Sequence, residues 1–241
     1  MPKRDDAYGR LIDDFHCGRR PQEIIERDDG LIDTSSGPAA YFADYEDWPQ
    51  DQQQAVDLAH GRTLDVGCGA GRHALYLQSK GLEVVGIDVS PLAVKTCQER
   101  GLHDARVLSI TQVTSALGRF DTILMMGSNF GLFGNLRRAK WLLRRLHAMT
   151  SDSATIIAES ADPYATDKPC HLAYHRLNRE RGRLAGQLRI RVRYQTYVGD
   201  WFDYLKVSRD EMTMIVEGTG WHVARFIPET GTVYAGVIEK C

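Results

Sequence analysis

The run Thr63-Leu64-Asp65-Val66-Gly67-Cys68-Gly69-Ala70-Gly71-Arg72, with Asp88 closing the apolar stretch Val84-Val85-Gly86-Ile87, constrains this chain more than any other feature. It reads as a nucleotide-cofactor site. A buried strand leads into a turn where side chains would obstruct, and glycines let the backbone approach a ligand. A helix then begins and offers the unpaired N–H groups of its first turn. An acidic residue at the end of the next strand can accept hydrogen bonds from both ribose hydroxyls. The glycine spacing separates cofactor classes. Dinucleotide sites read G-x-G-x-x-G, whereas Gly67, Gly69 and Gly71 read G-x-G-x-G, with Arg72 in the place of the third dinucleotide glycine. That argues against NAD or FAD, and so against a Rossmann oxidoreductase. Asp65, two residues before the first glycine, is expected to face a cationic amino group rather than a pyrophosphate.

From residue 61 the chain alternates strand and helix, as a doubly wound α/β sheet requires. Strands are predicted at Arg62–Val66, Glu83–Asp88, Ala105–Ile110, Asp121–Met126 and Ala154–Ser160. Ser90 is a good N-cap with Pro91 at the first helical position, and Asn135 can cap a helix running to Thr150. Ser208 with Glu211 makes a capping box for a helix to about Gly218, before strands Trp221–Ile227 and Thr232–Lys240. Two segments stand outside this alternation. Residues 1–60 form an N-terminal cap, with a short helix expected at Pro21–Glu26 and a longer one at Gln50–His60. Residues 162–207 alternate in strand fashion through Gly186–Tyr194 and predict an inserted antiparallel sheet. This leaves residues 61–161 and 208–241 as the cofactor-binding domain.

Here the chain resembles the class I S-adenosylmethionine-dependent methyltransferases, whose first motif reads much like Leu64-Asp65-Val66-Gly67-Cys68-Gly69-Ala70-Gly71. The resemblance implies a Rossmann-like sheet of about seven strands with a terminal antiparallel strand, S-adenosylmethionine as cofactor and S-adenosylhomocysteine as product. It implies that Gly67, Gly69 and Gly71 line the methionine and ribose part and that Asp88 binds the ribose; Asp65, Cys68, Arg72 and Val89 flank these positions and are counted with them. The family often places an acid after the third strand for the adenine. This chain has Ser109, Ile110 and Thr111 there instead, and Ser109 and Ile110 are the expected contacts.

Composition bounds the function. With 241 residues, 43% hydrophobic content and a formal charge of −2, the chain reads as a soluble globular protein of one full core plus an appendage. No apolar run approaches a membrane span, and no signal-peptide stretch follows the N-terminus, so a cytoplasmic location and no membrane partner are expected. Cys17, Cys68, Cys97, Cys170 and Cys241 lack C-x-x-C spacing, which supports neither a metal site nor a disulfide framework. The near-neutral charge gives no overall electrostatic reason to expect nucleic acid as a partner. Oligomeric state stays open.

In an open α/β sheet the ligand crevice lies beyond the carboxyl ends of the strands. After the fourth strand, Gly127-Ser128-Asn129-Phe130-Gly131-Leu132-Phe133-Gly134 is the expected acceptor-facing loop, with Gly127 counted among the cofactor contacts. It lacks the Asn/Asp-Pro-Pro-Tyr/Phe signature of enzymes acting on nucleobase or protein amides and looks like small-molecule methyltransferases. Methyl transfer needs alignment, exclusion of water and, where required, removal of a proton. Tyr41, Tyr45 and Trp48 are candidate walls by cation–π attraction. Candidate bases are His171, His175, Asp162 and Tyr164, and the catalytic set expected is His175, Asn129 and Tyr41. Arg189, Arg191 and Arg193 share one strand face, and Arg191 is a candidate contact for an anionic acceptor. Trp201 completes the expected acceptor set of Tyr45, Trp48, Ser128, Phe130, Asp162, Tyr164 and Arg191. The leading expectation is a small-molecule acceptor; the alternatives are an RNA or protein acceptor and a non-catalytic S-adenosylmethionine-binding module.

Overall fold

A computed structural model of the chain describes residues 6–35 and 37–241. The N-terminal segment carries helix α1 (Ala7–His16), strands β1 (Ile24–Arg27) and β2 (Ile32–Thr34), and helices α2 (Ala39–Phe42) and α3 (Gln50–Val56). The alternating region follows with β3 (Thr63–Val66), α4 (Arg72–Ser79), β4 (Val84–Asp88), α5 (Pro91–Glu99), β5 (Asp104–Val107), β6 (Phe120–Met125), α6 (Leu136–Ala148) and β7 (Thr150–Ala161). Next come α7 (Pro169–Glu180), β8 (Gln187–Tyr194), β9 (Tyr197–Val198) and β10 (Phe202–Leu205), and the chain closes with α8 (Arg209–Val216), β11 (Trp221–Ile227) and β12 (Val233–Lys240).

Seven strands form the central sheet in the order β11-β12-β7-β6-β3-β4-β5. The five strands β3 to β7 run parallel, and β12 pairs antiparallel with both β7 and β11. This is the Rossmann-like arrangement with a reversed terminal strand. The inner parallel strands β3 and β4 are buried on both faces and enclosed along their whole length, and they read as apolar runs, while the edge strand β5 is partly exposed. On one face, Leu142, Leu143 and Leu146 of α6 pack with Met212, Ile215 and Val216 of α8; on the other lie Ala74 and Leu77 of α4 with Val94 and Cys97 of α5. The three capping predictions hold: the Ser90 hydroxyl accepts from Ala93 N–H at 3.0 Å, the Asn135 side chain accepts from Arg138 N–H at 2.9 Å, and Ser208 and Glu211 form their capping box at 3.2 and 3.1 Å.

The two outlying segments share one sheet. Its order is β10-β8-β1-β2, with β9 also on β8, so strands from the N-terminal segment and from the region after β7 interleave. The helix expected at Pro21–Glu26 is therefore a strand. Ile24 and Ile25 are β-branched, and β1 is paired on both sides, which overrides the local helix preference of Gln22 and Glu23. The region 162–207 is not purely antiparallel sheet either: α7 runs through it, burying Tyr174, His175 and Asn178 on one face. The helix expected to reach His60 ends at Val56, where the Asp57 carboxylate accepts the hydroxyls of Tyr45 and Tyr76, each at 2.6 Å.

Candidate active site

The turn from β3 into α4 lies at the carboxyl edge of the sheet. Gly67, Gly69 and Gly71 all have positive φ. At Gly69 φ is +54°, and an added Cβ would stand 2.7 Å from the Tyr8 hydroxyl, so this residue serves both the turn and the close approach of α1. Asp88 holds the turn from the next strand: one carboxylate oxygen accepts from Gly69 N–H at 3.1 Å and the other from Ser90 N–H at 2.9 Å. Burial lifts the Asp88 carboxyl to about 6 despite these donors. Asp65 is buried too, and its Oδ2 has no hydrogen-bond partner among the described residues. Burial, reinforced by the Asp88 charge, lifts it to about 7. An orphaned buried carboxylate oxygen beside a glycine cradle suits a ligand that brings an ammonium and ribose hydroxyls, the polar groups of S-adenosylmethionine.

The loop after β6 meets this turn. The Asn129 amide donates to the carbonyls of Val66 and Gly67, both at 3.0 Å, tying the two loops together. Ser128 sits in the left-handed region at φ +62°, uncommon for a residue with a side chain. Three hydrogen bonds hold it there. Glu159 Oε1 accepts its N–H at 2.8 Å and its hydroxyl at 3.3 Å, while the Tyr204 hydroxyl donates to its carbonyl at 2.6 Å. Glu159 is buried, which raises its carboxyl above the usual range against the donors around it. Its Oε2 accepts from the Gln52 amide at 2.7 Å, and Gln52 Oε1 accepts from Arg72 at 2.7 Å. Close by, the Tyr41 hydroxyl donates to buried Glu23 at 2.8 Å, and Ser35 donates to the same carboxylate. Tyr8 meets Tyr41 edge-on with ring centroids 5.9 Å apart. Burial and then Asp88 push the Tyr8 phenol well above its usual value; burial and Glu23 do the same to Tyr41.

Several expected residues lie elsewhere. Tyr45 stacks on Tyr76 at 4.3 Å, and Trp48 is buried with its indole N–H on the Ala43 carbonyl, so both pack against α4. Arg72 donates to Ala40 O and Gln52 and lies 5.0 Å from the Trp48 ring, joining the N-terminal segment to α4. His175 is buried on α7 at 6.0 Å from the Tyr164 ring, and burial, then Arg179, lower its pKa. Tyr164 donates to Glu211, and Asp162 accepts from Tyr164 N–H. Arg191 makes two bonds to Glu26 at 2.7 and 3.1 Å and lies over the Trp201 ring at 4.3 Å; Arg193 also pairs with Glu26, and Arg189 with Asp203. Ile110 and Phe130 point into the core, and Ser109 starts a capping box with Gln112, which is why β5 stops at Val107. Cys68 turns inward against Cys97, and that contact with burial pushes its thiol up. Val89 and Gly127 are exposed at the strand ends.

Tyr8, Glu23, Gln52 and Glu159 were not anticipated, whereas Tyr204 belongs to the aromatic run Trp201-Phe202-Asp203-Tyr204, one face of which is the expected floor of the acceptor pocket. Only Glu159 left a local signal, as an acid closing the apolar run Ile156-Ile157-Ala158 of a buried strand.

Residues 63–152 match the model of a methyltransferase domain family. A 2-heptyl-1-hydroxyquinolin-4(1H)-one methyltransferase of Mycobacteroides abscessus is 41% identical over 71 residues, covering 27% of this chain and 31% of that enzyme, so the match spans about a third of its length. An uncharacterized methyltransferase of Schizosaccharomyces pombe is 30% identical over 103 residues, 41% of this chain and 70% of the relative. A solved S-adenosylmethionine-dependent methyltransferase of Bacteroides fragilis, in complex with S-adenosylhomocysteine, superposes with a TM-score of 0.83 at 26% identity, over 100% of this chain and 97% of that one. Fold and site together define a nucleotide-cofactor transferase. The chain belongs to the class I S-adenosylmethionine-dependent methyltransferases.

Proposed function

We propose that this chain transfers a methyl group from S-adenosylmethionine to a small-molecule acceptor. The observation that carries the reading is the left-handed glycine turn held by Asp88 beside the orphaned Asp65, in a fold shared along its whole length with an S-adenosylhomocysteine-bound methyltransferase. Asp88 would take the ribose and Asp65 the methionine ammonium, with the glycine backbone beneath them. The cofactor, when bound, supplies a methyl group made electrophilic by its sulfonium. The chain's own part is to align, to exclude water and to hold the acceptor. Tyr8 and Tyr41 support that role, since the N-terminal segment brings the Tyr8 hydroxyl against Gly69 with the Tyr41 ring edge-on to Tyr8, and aromatic rings beside the site favour a cation.

The acceptor we infer enters beside Ser128 and Tyr41, where Glu23 and Glu159 are both buried. Two buried carboxylates and several phenols favour an uncharged or hydrogen-bond-donating metabolite. The anionic option rested on Arg191, whose guanidinium is occupied by Glu26. The test is transfer of radiolabelled methyl from S-adenosylmethionine to a panel of hydroxyl- and amine-bearing small molecules, 2-heptyl-1-hydroxyquinolin-4(1H)-one among them. Labelled product from a neutral or cationic member supports the reading. Label appearing only on RNA or on added protein would overturn it.

A further inference from the structure

Glu159 occupies an unusual position for a carboxylate. It lies within β7, 4% exposed, between the loop after β6 and the N-terminal segment. Each of its oxygens meets a different element. Oε1 takes both donors of Ser128, and Oε2 takes the Gln52 side chain of α3. Gln52 in turn is fixed by polarity: its amide nitrogen gives to Glu159, so its oxygen is left for Arg72, the first residue of the helix that follows the glycine turn. Ser128 is also gripped from its other side by Tyr204 of β10, and its neighbour Asn129 holds the carbonyls of Val66 and Gly67. One buried carboxylate therefore connects four parts of the fold: the acceptor-facing loop, the glycine turn, α3 with α4, and the second sheet.

We propose that Glu159 is a positioning residue for methyl transfer, setting the left-handed Ser128 turn and, through Asn129 and the Gln52–Arg72 relay, the glycine turn beneath the cofactor. The inference rests on the proposed function for its chemical meaning, while the clamp itself is a property of the chain alone.

The relay's polarity makes the proposal unusually testable. In Glu159→Gln, one amide oxygen can still accept from Ser128 N–H, but the new NH₂ then faces the Gln52 NH₂. Rotating Gln52 to present its oxygen would turn NH₂ toward Arg72 instead, so the conflict moves along the chain and is not relieved. The exchange Glu159→Gln with Gln52→Glu resolves it. The amide introduced at position 159 donates to the carboxylate introduced at position 52, which still accepts from Arg72, and the total charge is unchanged.

Two readouts decide the matter. The first is hydrogen exchange at the Ser128 amide, measured without any ligand. Glu159→Gln is expected to speed it tenfold or more, and the double exchange to return it to within about threefold of the parent. The second is calorimetric affinity for S-adenosylhomocysteine and S-adenosylmethionine. The single variant should weaken both by a similar factor of roughly ten, and the double variant should restore both. Unchanged Ser128 exchange in Glu159→Gln overturns the proposal, as does failure of the double variant to rescue a perturbed single one. Weaker S-adenosylmethionine binding with intact S-adenosylhomocysteine binding also overturns it, because that pattern marks a charge acting on the sulfonium. Should Glu159→Gln not fold, Gln52→Ala offers the same exchange readout from the other end of the relay, and there a Ser128 amide as protected as the parent's overturns the proposal. A parent chain that binds neither ligand would defeat the proposed function and leave the exchange result standing by itself.

Discussion

Replacing Gly69 with Ala probes a left-handed position that Tyr8 approaches closely and that the proposed function puts beneath the cofactor. A Cβ in the left-handed region costs about 1–2 kcal/mol. For a chain of this size that lowers the melting temperature by roughly 2–8 °C. Gly81, in the turn between α4 and β4, is the matched control: its φ is +87°, yet an added Cβ there meets nothing within 4 Å, whereas at Gly69 it meets the Tyr8 hydroxyl at 2.7 Å. Both alanine variants should therefore melt below the parent, Gly69→Ala by more because Tyr8 must also give way. Only Gly69→Ala should lose S-adenosylhomocysteine affinity, by tenfold or more, equivalent to at least about 1.4 kcal/mol. Scanning calorimetry gives the first quantity and isothermal titration the second. Equal ligand affinity in the two variants would refute the reasoning, because strain would then be the whole effect and Gly69 an ordinary turn residue.

Three further outcomes follow from the same structure. Asp65 and Asp88 both have folded pKa values above those of the unfolded chain, so each takes up a proton on folding and its contribution to stability falls as pH rises from about 4 to about 7; Asp65→Asn should be more stable than the parent near pH 7 with the gain vanishing near pH 4, and a pH-independent difference in urea denaturation would contradict this. Asp6 accepts from Gly9 N–H at 2.8 Å, the Ser90 hydroxyl at 2.7 Å and Leu92 N–H at 3.2 Å, capping α1 and fastening it to α5. Asp6→Ala should cost about 1–2 kcal/mol in stability and speed S-adenosylhomocysteine release in stopped-flow measurements, since Tyr8 rides on α1; unchanged release would detach α1 from the cofactor site. Arg191→Ala should lower the midpoint of chemical denaturation slightly, since Arg193 still pairs with Glu26, and leave S-adenosylhomocysteine affinity within twofold. Unaltered stability with weaker acceptor binding would return Arg191 to the acceptor site.

What could be read from the chain depended on how local its cause was. The strands β3, β4, β6 and β7 announce themselves as apolar runs because parallel strands are buried on both faces, and the caps at Ser90, Asn135 and Ser208 are chemistry among residues three apart. The glycine turn and Asp88 belong to the same class. The second sheet does not. Its register sets Glu26 opposite Arg191, 165 residues away, and nothing near Ile24 announces that partner. The arginine row of β8 was legible as a row, but its occupation by Glu26 and Asp203 was not. The same holds for the site's walls. Tyr41 was identified as an aromatic near the crevice, while Tyr8 and Tyr204 reach it only because α1 packs on α5 and β10 packs beside the loop after β6. Tyr45 and Trp48 shared Tyr41's local character and went instead to α4.

The central claim is that the glycine turn and Asp88 form an S-adenosylmethionine site and not a dinucleotide site. Isothermal titration of the purified chain with S-adenosylhomocysteine and with NAD tests it most directly. The account predicts saturable one-site binding of S-adenosylhomocysteine and no heat of binding for NAD. NAD binding as tight or tighter, or no binding of S-adenosylhomocysteine by the folded chain, would contradict it.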